Sequence, residues 1–405
     1  MNKLIPASLV WAAVVLAFSC QAQTARDAAS RNAPSRNAPS RNAESRRPLF
    51  TPAPGSPLDI GSRPNDIAAG DLNGDGGLDI VTCNVDDTLT VLLNDGRAGF
   101  RPAPGSPVKA AAHLVAIGDV NNDRRPDLAL THHDSFGVAV LLGTGDGRFA
   151  PAPGSPFAAH QGVKPHNHGL ALSDVNSDGS LDLTTSNQDD NSVSVLLGDG
   201  RGGFTPAVGS PFAVGRAPYP HAVGDVNGDG RLDDVTPNVG GSNVTVLLGD
   251  GRGGFTPAAN SPYAVAARPY HVAVGDVSGD GNPDLVTTHD DVNLITTLLG
   301  DGRGGFAAAP DSPFDLGRRA YKLIAAAVGG DARAGLVVGT EAGDDVAVLS
   351  GNERGGYTHA AGSPYRAGRN PRVAVGDVNG DGKPDIITAN NGSGDVTVLL
   401  QRGHP

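Results

Sequence analysis

The chain has 405 residues, with 57 Gly, 31 Pro, 4% aromatic side chains and a net charge of −12. It is rich in turns and too long for one small domain, but compatible with one large all-β domain. It has no basic tract of the kind that binds nucleic acid, and its two cysteines, Cys20 and Cys83, leave no disulfide framework and no Cys-x-x-Cys metal pattern.

Residues 1–22 read as a secretory signal: Lys3 supplies the positive start, and Leu4 to Ser19 is mostly apolar, too short and too early for a transmembrane span. Two processing routes are open. Cys20 after Ala17-Phe18-Ser19 fits a lipoprotein cleavage, and a cut after Ala22 fits the ordinary one. Either route predicts a protein outside the cytoplasm: secreted, periplasmic or lipid-anchored, with the anchor as its one membrane contact. Residues 23–47 are low complexity, with Arg-Asn-Ala-Pro-Ser at 31–35 and 36–40. Small, polar and Pro-containing, they cannot bury a core and are expected to be a disordered spacer. Cys83 is most simply a small buried apolar residue.

From residue 48 to 401 the chain repeats. A full module predicts four short strands: His221–Gly224, Leu232–Thr236, Asn243–Leu248 with Val244, Val246 and Leu248 alternating, and Gly253–Pro257. The first two are joined by Asp225-Val226-Asn227-Gly228-Asp229-Gly230-Arg231-Leu232-Asp233, and similar loops start at Asp71, Asp119, Asp174, Asp276 and Asp377. The loop starts are separated by 48, 55, 51, 51 and 101 residues, the last gap holding two modules. A four-stranded unit repeating at about 50 residues is the signature of a β-propeller.

Oxygen side chains at positions one, three, five and nine of a tight loop can wrap a hard cation such as calcium. The expected ligands are Asp71, Asn73, Asp75 and Asp79; Asp119, Asn121, Asp123 and Asp127; Asp174, Asn176, Asp178 and Asp182; Asp225, Asn227, Asp229 and Asp233; Asp276, Ser278, Asp280 and Asp284; and Asp377, Asn379, Asp381 and Asp385. A backbone carbonyl, Arg231 in the fourth loop, completes the set. A metal-free acidic turn is the alternative, but six such loops would each stack like charges, and six divalent ions would cancel the net charge. Arg124 takes the place of the turning glycine in the second loop and sets its affinity apart from the rest. The sixth module, Val328 to Leu336, keeps one acid and is expected to bind no metal.

The fourth-strand signature starts at Phe50, Phe100, Phe149, Phe204, Phe255, Phe306 and Tyr357. The first copy has no module before it, and the last module ends at Leu400 without one. The strand near Phe50 is therefore expected to complete the last blade, giving seven blades. The Pro-rich fourth strands should be the outer edges, where missing amide donors discourage edge-to-edge pairing.

Val-Ala-Val-Gly-Asp-Val-Asn-Gly-Asp-Gly-Lys-Pro-Asp (373–385), with Val-Thr-Val-Leu-Leu-Gly-Asp-Gly (244–251) and Gly-Gly-Phe (253–255), resembles the FG-GAP/VCBS repeat family in its exported bacterial form. The resemblance covers about residues 48–401. It implies a propeller whose acidic loops hold calcium, as in integrin α chains. It does not imply a ligand, because that family spans adhesion modules, glycan-binding domains and noncatalytic parts of enzymes. Gly-Phe replaces Phe-Gly here, and Ala-Pro-Gly-Ser-Pro replaces the Gly-Ala-Pro element, so integrin-like partner binding is not carried over.

The end of the ring opposite the loops is rich in His and Asn. Asn65, His113, His166, His168, His221 and His271 lead into first strands; Asn84, His132, His133, Asn187, Asn238, His289 and Asn390 follow second strands. They are either turn residues copied by module duplication or a ligand site of His113, His132, His168, Asn187, His221, Asn238, His271 and His289. Such a site would bind a glycan by hydrogen bonds or a transition metal through imidazoles. Tyr219 and Tyr270 are the only rings foreseen there for stacking on a sugar, and no paired carboxylate nucleophile is evident beside Asp86, Asp134, Asp189 and Asp290. The sequence thus predicts a monomeric, calcium-stabilised, non-catalytic binding or adhesion module for a glycan or protein. The alternative is an enzyme acting on polysaccharide or lactone with a mouth histidine as general base.

Overall fold

The computed structural model describes residues 47–402 except 161, 163, 165, 329–332 and 342. The leader, Cys20 and nearly all of the spacer lie outside the described residues. Every described element is a β-strand, and the strands form seven separate antiparallel sheets. They are the blades of a seven-bladed β-propeller. In blade 1 the order from the axis outward is Pro64–Gly70, Asp79–Asn84, Thr88–Asn94 and Phe100–Pro102. The first strands of neighbouring blades pack against one another around the axis.

The predicted outer edge is present, in two pieces. Phe100–Pro102 pairs with the far end of the third strand and Val108–Lys109 with its near end. Between them the chain turns through a cis Ser106-Pro107 bond, and the same cis Ser-Pro recurs in all seven blades. The turn withdraws a backbone acceptor from the third strand, and the serine hydroxyl replaces it. Ser106 Oγ accepts from Val91 N at 3.0 Å, as Ser261 does from Val246 and Ser56 from Val398. A buried N–H left unpaired would be costly.

Second and third strands are buried on both faces, because each blade is covered by the next. The core accordingly divides into seven clusters, one at each contact between neighbouring blades. Val81, Leu89 and Val91 of blade 1 meet Val115, Leu128 and Leu130 of blade 2 in one of them. Cys83 lies in the same cluster, fully shielded, and burial pushes its thiol well above the usual range. Near the rim, edge aromatics of successive blades meet edge to face, as Phe212 does with Phe255 at 5.5 Å.

The ring closes as the repeat count requires. Phe50–Pro52 pairs with the last strand, Phe50 opposite Gln401, and Leu58 lies opposite Val396. Arg402 N donates to Leu49 O at 2.7 Å. Phe50 is 2% exposed and packs edge-on against Tyr365 of blade 6. In the sixth module residues 329–332 of the degenerate loop lie outside the described residues, but its strands Ala320–Ala326, Gly335–Thr340 and Asp345–Gly351 are formed.

Candidate functional site

Each first strand runs from one face of the ring to the other, so its two ends carry different chemistry. At its C-terminal end lies the acidic loop. In the fourth blade Asp225 Oδ1 accepts from the amides of Gly228 and Asp229, and Oδ2 accepts from Gly230. Asn227 Oδ1 accepts from Asp229 N, and Asp229 Oδ1 from Arg231 N. The ninth residue is set apart. Asp233 is fully buried, with Oδ2 accepting from Val226 N at 2.9 Å and Oδ1 from Gly249 N at 2.8 Å. It ties the start of the loop to the end of the third strand. Asp79, Asp127, Asp182, Asp284 and Asp385 do the same in their blades. Position nine is therefore a structural tie before it is a ligand, which the sequence alone did not distinguish.

The second loop keeps the common shape despite Arg124. This residue takes φ 68°, in the left-handed region where Gly230 stands at 81°, and its amide still donates to Asp119 Oδ2 at 2.7 Å. Among the described residues no three His, Cys, Asp or Glu side chains are gathered into a metal-holding group. The donor chemistry nevertheless suits a hard cation: all side-chain donors are oxygens, and Asp225 Oδ2, Asn227 Oδ1 and Asp229 Oδ1 each accept a single backbone N–H, which leaves a lone pair free on each. Burial, with Asp225 and Asp229 adding like charge, pushes the Asp233 carboxyl up to about 6 although its backbone bonds pull the other way. A cation in the loop would relieve that repulsion.

At the N-terminal ends of the first strands the channel opens into a cavity of about 140 Å3 to which all seven blades contribute. A belt of flat groups runs across the mouth, and His113, Tyr270, Tyr321 and Arg372 of this belt line the cavity. His113 stacks on His133 with centroids 3.8 Å apart, and His133 lies 4.5 Å from His168 and 5.4 Å from His166. His168 lies nearly parallel to Tyr219 at 4.2 Å. Tyr219 to Tyr270 and Tyr270 to Tyr321 are each 4.8 Å. The Arg372 guanidinium closes the belt, 3.3 Å from the Tyr321 ring centre. Asn65 of blade 1 lines the same cavity. Register shifts in the first strands of blades 1, 5 and 6 fall at Asn65, Tyr270 and the Tyr321–Lys322 pair. Bulges of this kind re-aim side chains.

Toward the loops from the belt, Lys322 Nζ lies 2.8 Å from Asp66 Oδ1, joining blade 6 to blade 1 past blade 7. His221 and His271 also line the cavity. His221 Nε2 is 2.8 Å from Thr184 Oγ1 and 3.7 Å from Asp234 Oδ2, both acid and imidazole being fully shielded. Burial drives each of the two toward its uncharged form. They stand where the other modules are apolar: Ile67, Val115, Leu170, Val272, Leu323 and Val373 match His221, and Ile80, Leu128, Leu183, Leu285, Leu336 and Ile386 match Asp234.

Burial holds the belt imidazoles below their usual range, with neighbouring imidazoles adding to it: His133 falls to about 4 and His168 to about 3. Burial also lowers His113, and takes His271 to about 3. The phenols of Tyr219 and Tyr270 are raised by burial. His113, His133 and His168 are thus uncharged near neutral pH, beside the charged Arg372.

Four of the eight predicted ligand residues reach the cavity region: His113 and His168 in the belt, His221 and His271 beside it. The other four do not. Asn187 donates to Ser192 Oγ and Ser194 Oγ, Asn238 to Asn243 Oδ1 and Thr245 Oγ1, and His289 bonds Thr296 Oγ1 and the Ala267 carbonyl. All three are fully buried between second and third strands, where they brace the hairpin. His132 accepts from the Asp134 amide, and its neighbour His133 enters the belt instead. Tyr321 and Arg372 were missed, and the expectation of a thin aromatic surface is corrected. The signal for Tyr321 lay in one column: six residues before five of the six loop starts stand Asn65, His113, His168, Tyr219 and Tyr270, and Tyr321 holds the matching place in blade 6, whereas in blade 7 that place is Pro371 and Arg372 follows it.

The FG-GAP-like repeat profile matches residues 71–130, 119–185, 174–236 and 235–287, and the FG-GAP repeat profile matches 370–399. No curated protein matches the chain in sequence. Among solved structures it is similar to BBS1N in its complex with ARL6DN, at 14% identity and a TM-score of 0.60 over 88% of this chain and 98% of that one. It is also similar to an Agrocybe aegerita lectin that recognises non-reducing terminal N-acetylglucosamine, at 18% identity and a TM-score of 0.53 over 85% and 86%. A third is the virginiamycin B lyase of Staphylococcus aureus, in a catalytically inactive form with quinupristin, at 12% identity and 0.52 over 86% and 99%. At these identities the likeness is one of fold.

Proposed function

This chain belongs to the FG-GAP repeat family, and we propose that it is an exported, calcium-stabilised propeller serving as a non-catalytic glycan-binding module. The observation that carries the proposal is the belt from His113 to Arg372 around the mouth of the channel. A concave site with apolar ring surface and a few convergent polar groups is what a sugar requires. Neutral imidazoles both donate and accept hydrogen bonds, and phenols do the same. The lectin among the similar structures is a further support, at the level of fold. Export is supported by the leader.

Calcium would be held by the first, third and fifth side chains of each full loop with the ninth behind them. Its chemistry there is charge compensation, which stabilises the native state by mass action. The chain's own residues do the binding at the opposite face: the tyrosines and imidazoles present ring surface and hydrogen bonds, and His221 and His271 line the cavity beside them.

Incubation of the protein, in calcium, with a panel of polysaccharides tests the proposal. Retention of at least one polysaccharide, without released product, is the expected result. No retention of any member would turn the assignment toward a protein partner. One observation favours a catalytic reading: the His221–Asp234 pair replaces two apolar residues beside the cavity. That reading expects product from the same panel, lost in His221→Ala while the melting curve is kept.

A further inference from the structure

The cavity at the mouth carries more positive than negative charge. Asp66 and Lys322 compensate each other at 2.8 Å. Arg372 has no carboxylate within ion-pair distance among the described residues: its Nη1 reaches only the Asn370 carbonyl, at 3.4 Å, and its Nε is shielded from solvent without a partner. Arg268 pairs with Asp290, and Arg319 with Asp290 and Glu341. Arg63, Arg216 and Arg369 have no ion pair among the described residues either, but they do not line the cavity, and Arg372 does. It is also held in place over the Tyr321 ring, so little side-chain freedom is lost when it binds. The imidazoles that line the cavity, His113, His221 and His271, add no charge near neutral pH, because burial keeps them low.

Resting on the glycan reading above, we propose that Arg372 is an anion subsite for the carboxylate of an acidic sugar. The guanidinium fork matches a planar carboxylate, and a charge-assisted bond in a partly desolvated cavity is stronger than a neutral one. The sugar ring then lies against the belt, where Tyr270 and Tyr321 offer surface beside the charge. Neutral sugars use the belt alone and bind more weakly.

The test is a titration of the isotopically labelled full chain, in calcium, with sodium glucuronate, glucose and sodium sulfate at matched ionic strength, following the Arg372 Nε–H resonance. Glucuronate is expected to move it saturably, glucose not at all and sulfate weakly. Arg372→Gln is expected to weaken glucuronate binding at least tenfold, as read at the tyrosine and imidazole signals; Arg372→Lys, which keeps the charge, weakens it less. Equal shifts from glucuronate and glucose, or none from either, overturn the subsite. Equal responses to sulfate and glucuronate overturn the carboxylate assignment. Retention of only neutral polysaccharides on the panel overturns the subsite and leaves the binding module standing. A glucuronate response with no polysaccharide retained overturns the module and leaves the subsite.

Discussion

The two ends of the same seven first strands have opposite character. At the loop end the blades are copies. The ninth aspartate accepts the same two amides in six blades, and even Arg124 is bent into the shape of the glycine it replaces. At the mouth each blade differs, and donors and acceptors are left over: Nε of Arg372, Nε2 of His133, Nδ1 of His221 and of His271. Repetition with the loop amides tied in the same way is what building a ring requires. Variation with unpaired groups is what a site requires, and one strand supports both because its two ends are about 20 Å apart at seven residues.

Removing the proposed calcium should separate the ends most strongly. We expect chelation to lower the melting temperature by about 10 °C or more, since several native-state ions are lost together. An identical melt with and without chelator would remove the metal from the loop end. A single tie should come next. Asp385→Ala strips the acceptor from Val378 N and Gln401 N, both buried, and should cost about 3 kcal/mol in denaturant unfolding. Tyr270→Ala should leave unfolding far less changed and abolish retention of whatever polysaccharide binds. If the two variants lose stability equally, the division between the ends fails.

Acid should act on the mouth with a defined sign. His133 and His168 have folded-state values of about 4 and 3, below the 6.5 of an unfolded imidazole. The unfolded chain therefore takes up protons first as pH falls below about 6.5, and the mouth's contribution to stability declines from there toward pH 4. The loop acids, raised to about 6, titrate with the opposite sign. The difference in melting temperature between parent and a His133→Gln/His168→Gln variant isolates the mouth: the parent should lose more on going from pH 7 to 5. Parallel curves would show that these imidazoles are not held neutral. The smallest effect is a gain. Arg124→Gly should add about 1 kcal/mol by relieving a left-handed backbone, and a loss would mean that the Arg124 side chain contributes something its backbone does not.

What repeats was legible in the sequence. Blade number, the clasp through Phe50 and the oxygen pattern of the loops follow from counting, because each module meets the same physical demands. What does not repeat was harder to read. Asn187, Asn238 and His289 occupy a repeated column and turned out to brace hairpins; the histidines that vary between blades reached the cavity. Tyr321 was hidden because its module has lost the acidic loop from which the column is counted, and Arg372 because it stands one place out of that column, after Pro371. The double role of the ninth aspartate was hidden because a ligand and a backbone tie call for the same carboxylate. Asp234 was readable, as a charge in a column of Ile and Leu, and marks the value of asking where a repeat breaks.

The clasp has a mechanical consequence. The strand Phe50–Pro52 lies on the circumference of the last blade and pairs with Leu399–Gln401 over three residues. A tether leading back from Pro48 would hold the ring by its rim, leaving both faces clear. A load between that tether and a ligand at the mouth would then meet this three-residue piece of the seam first, ahead of the second piece at Leu58–Asp59. Because Phe50, the residue nearest the tether, lies opposite Gln401 at the end of its partner strand, the seam would open rung by rung. The first region of the molecule to yield under tension would be the joint that makes it a ring.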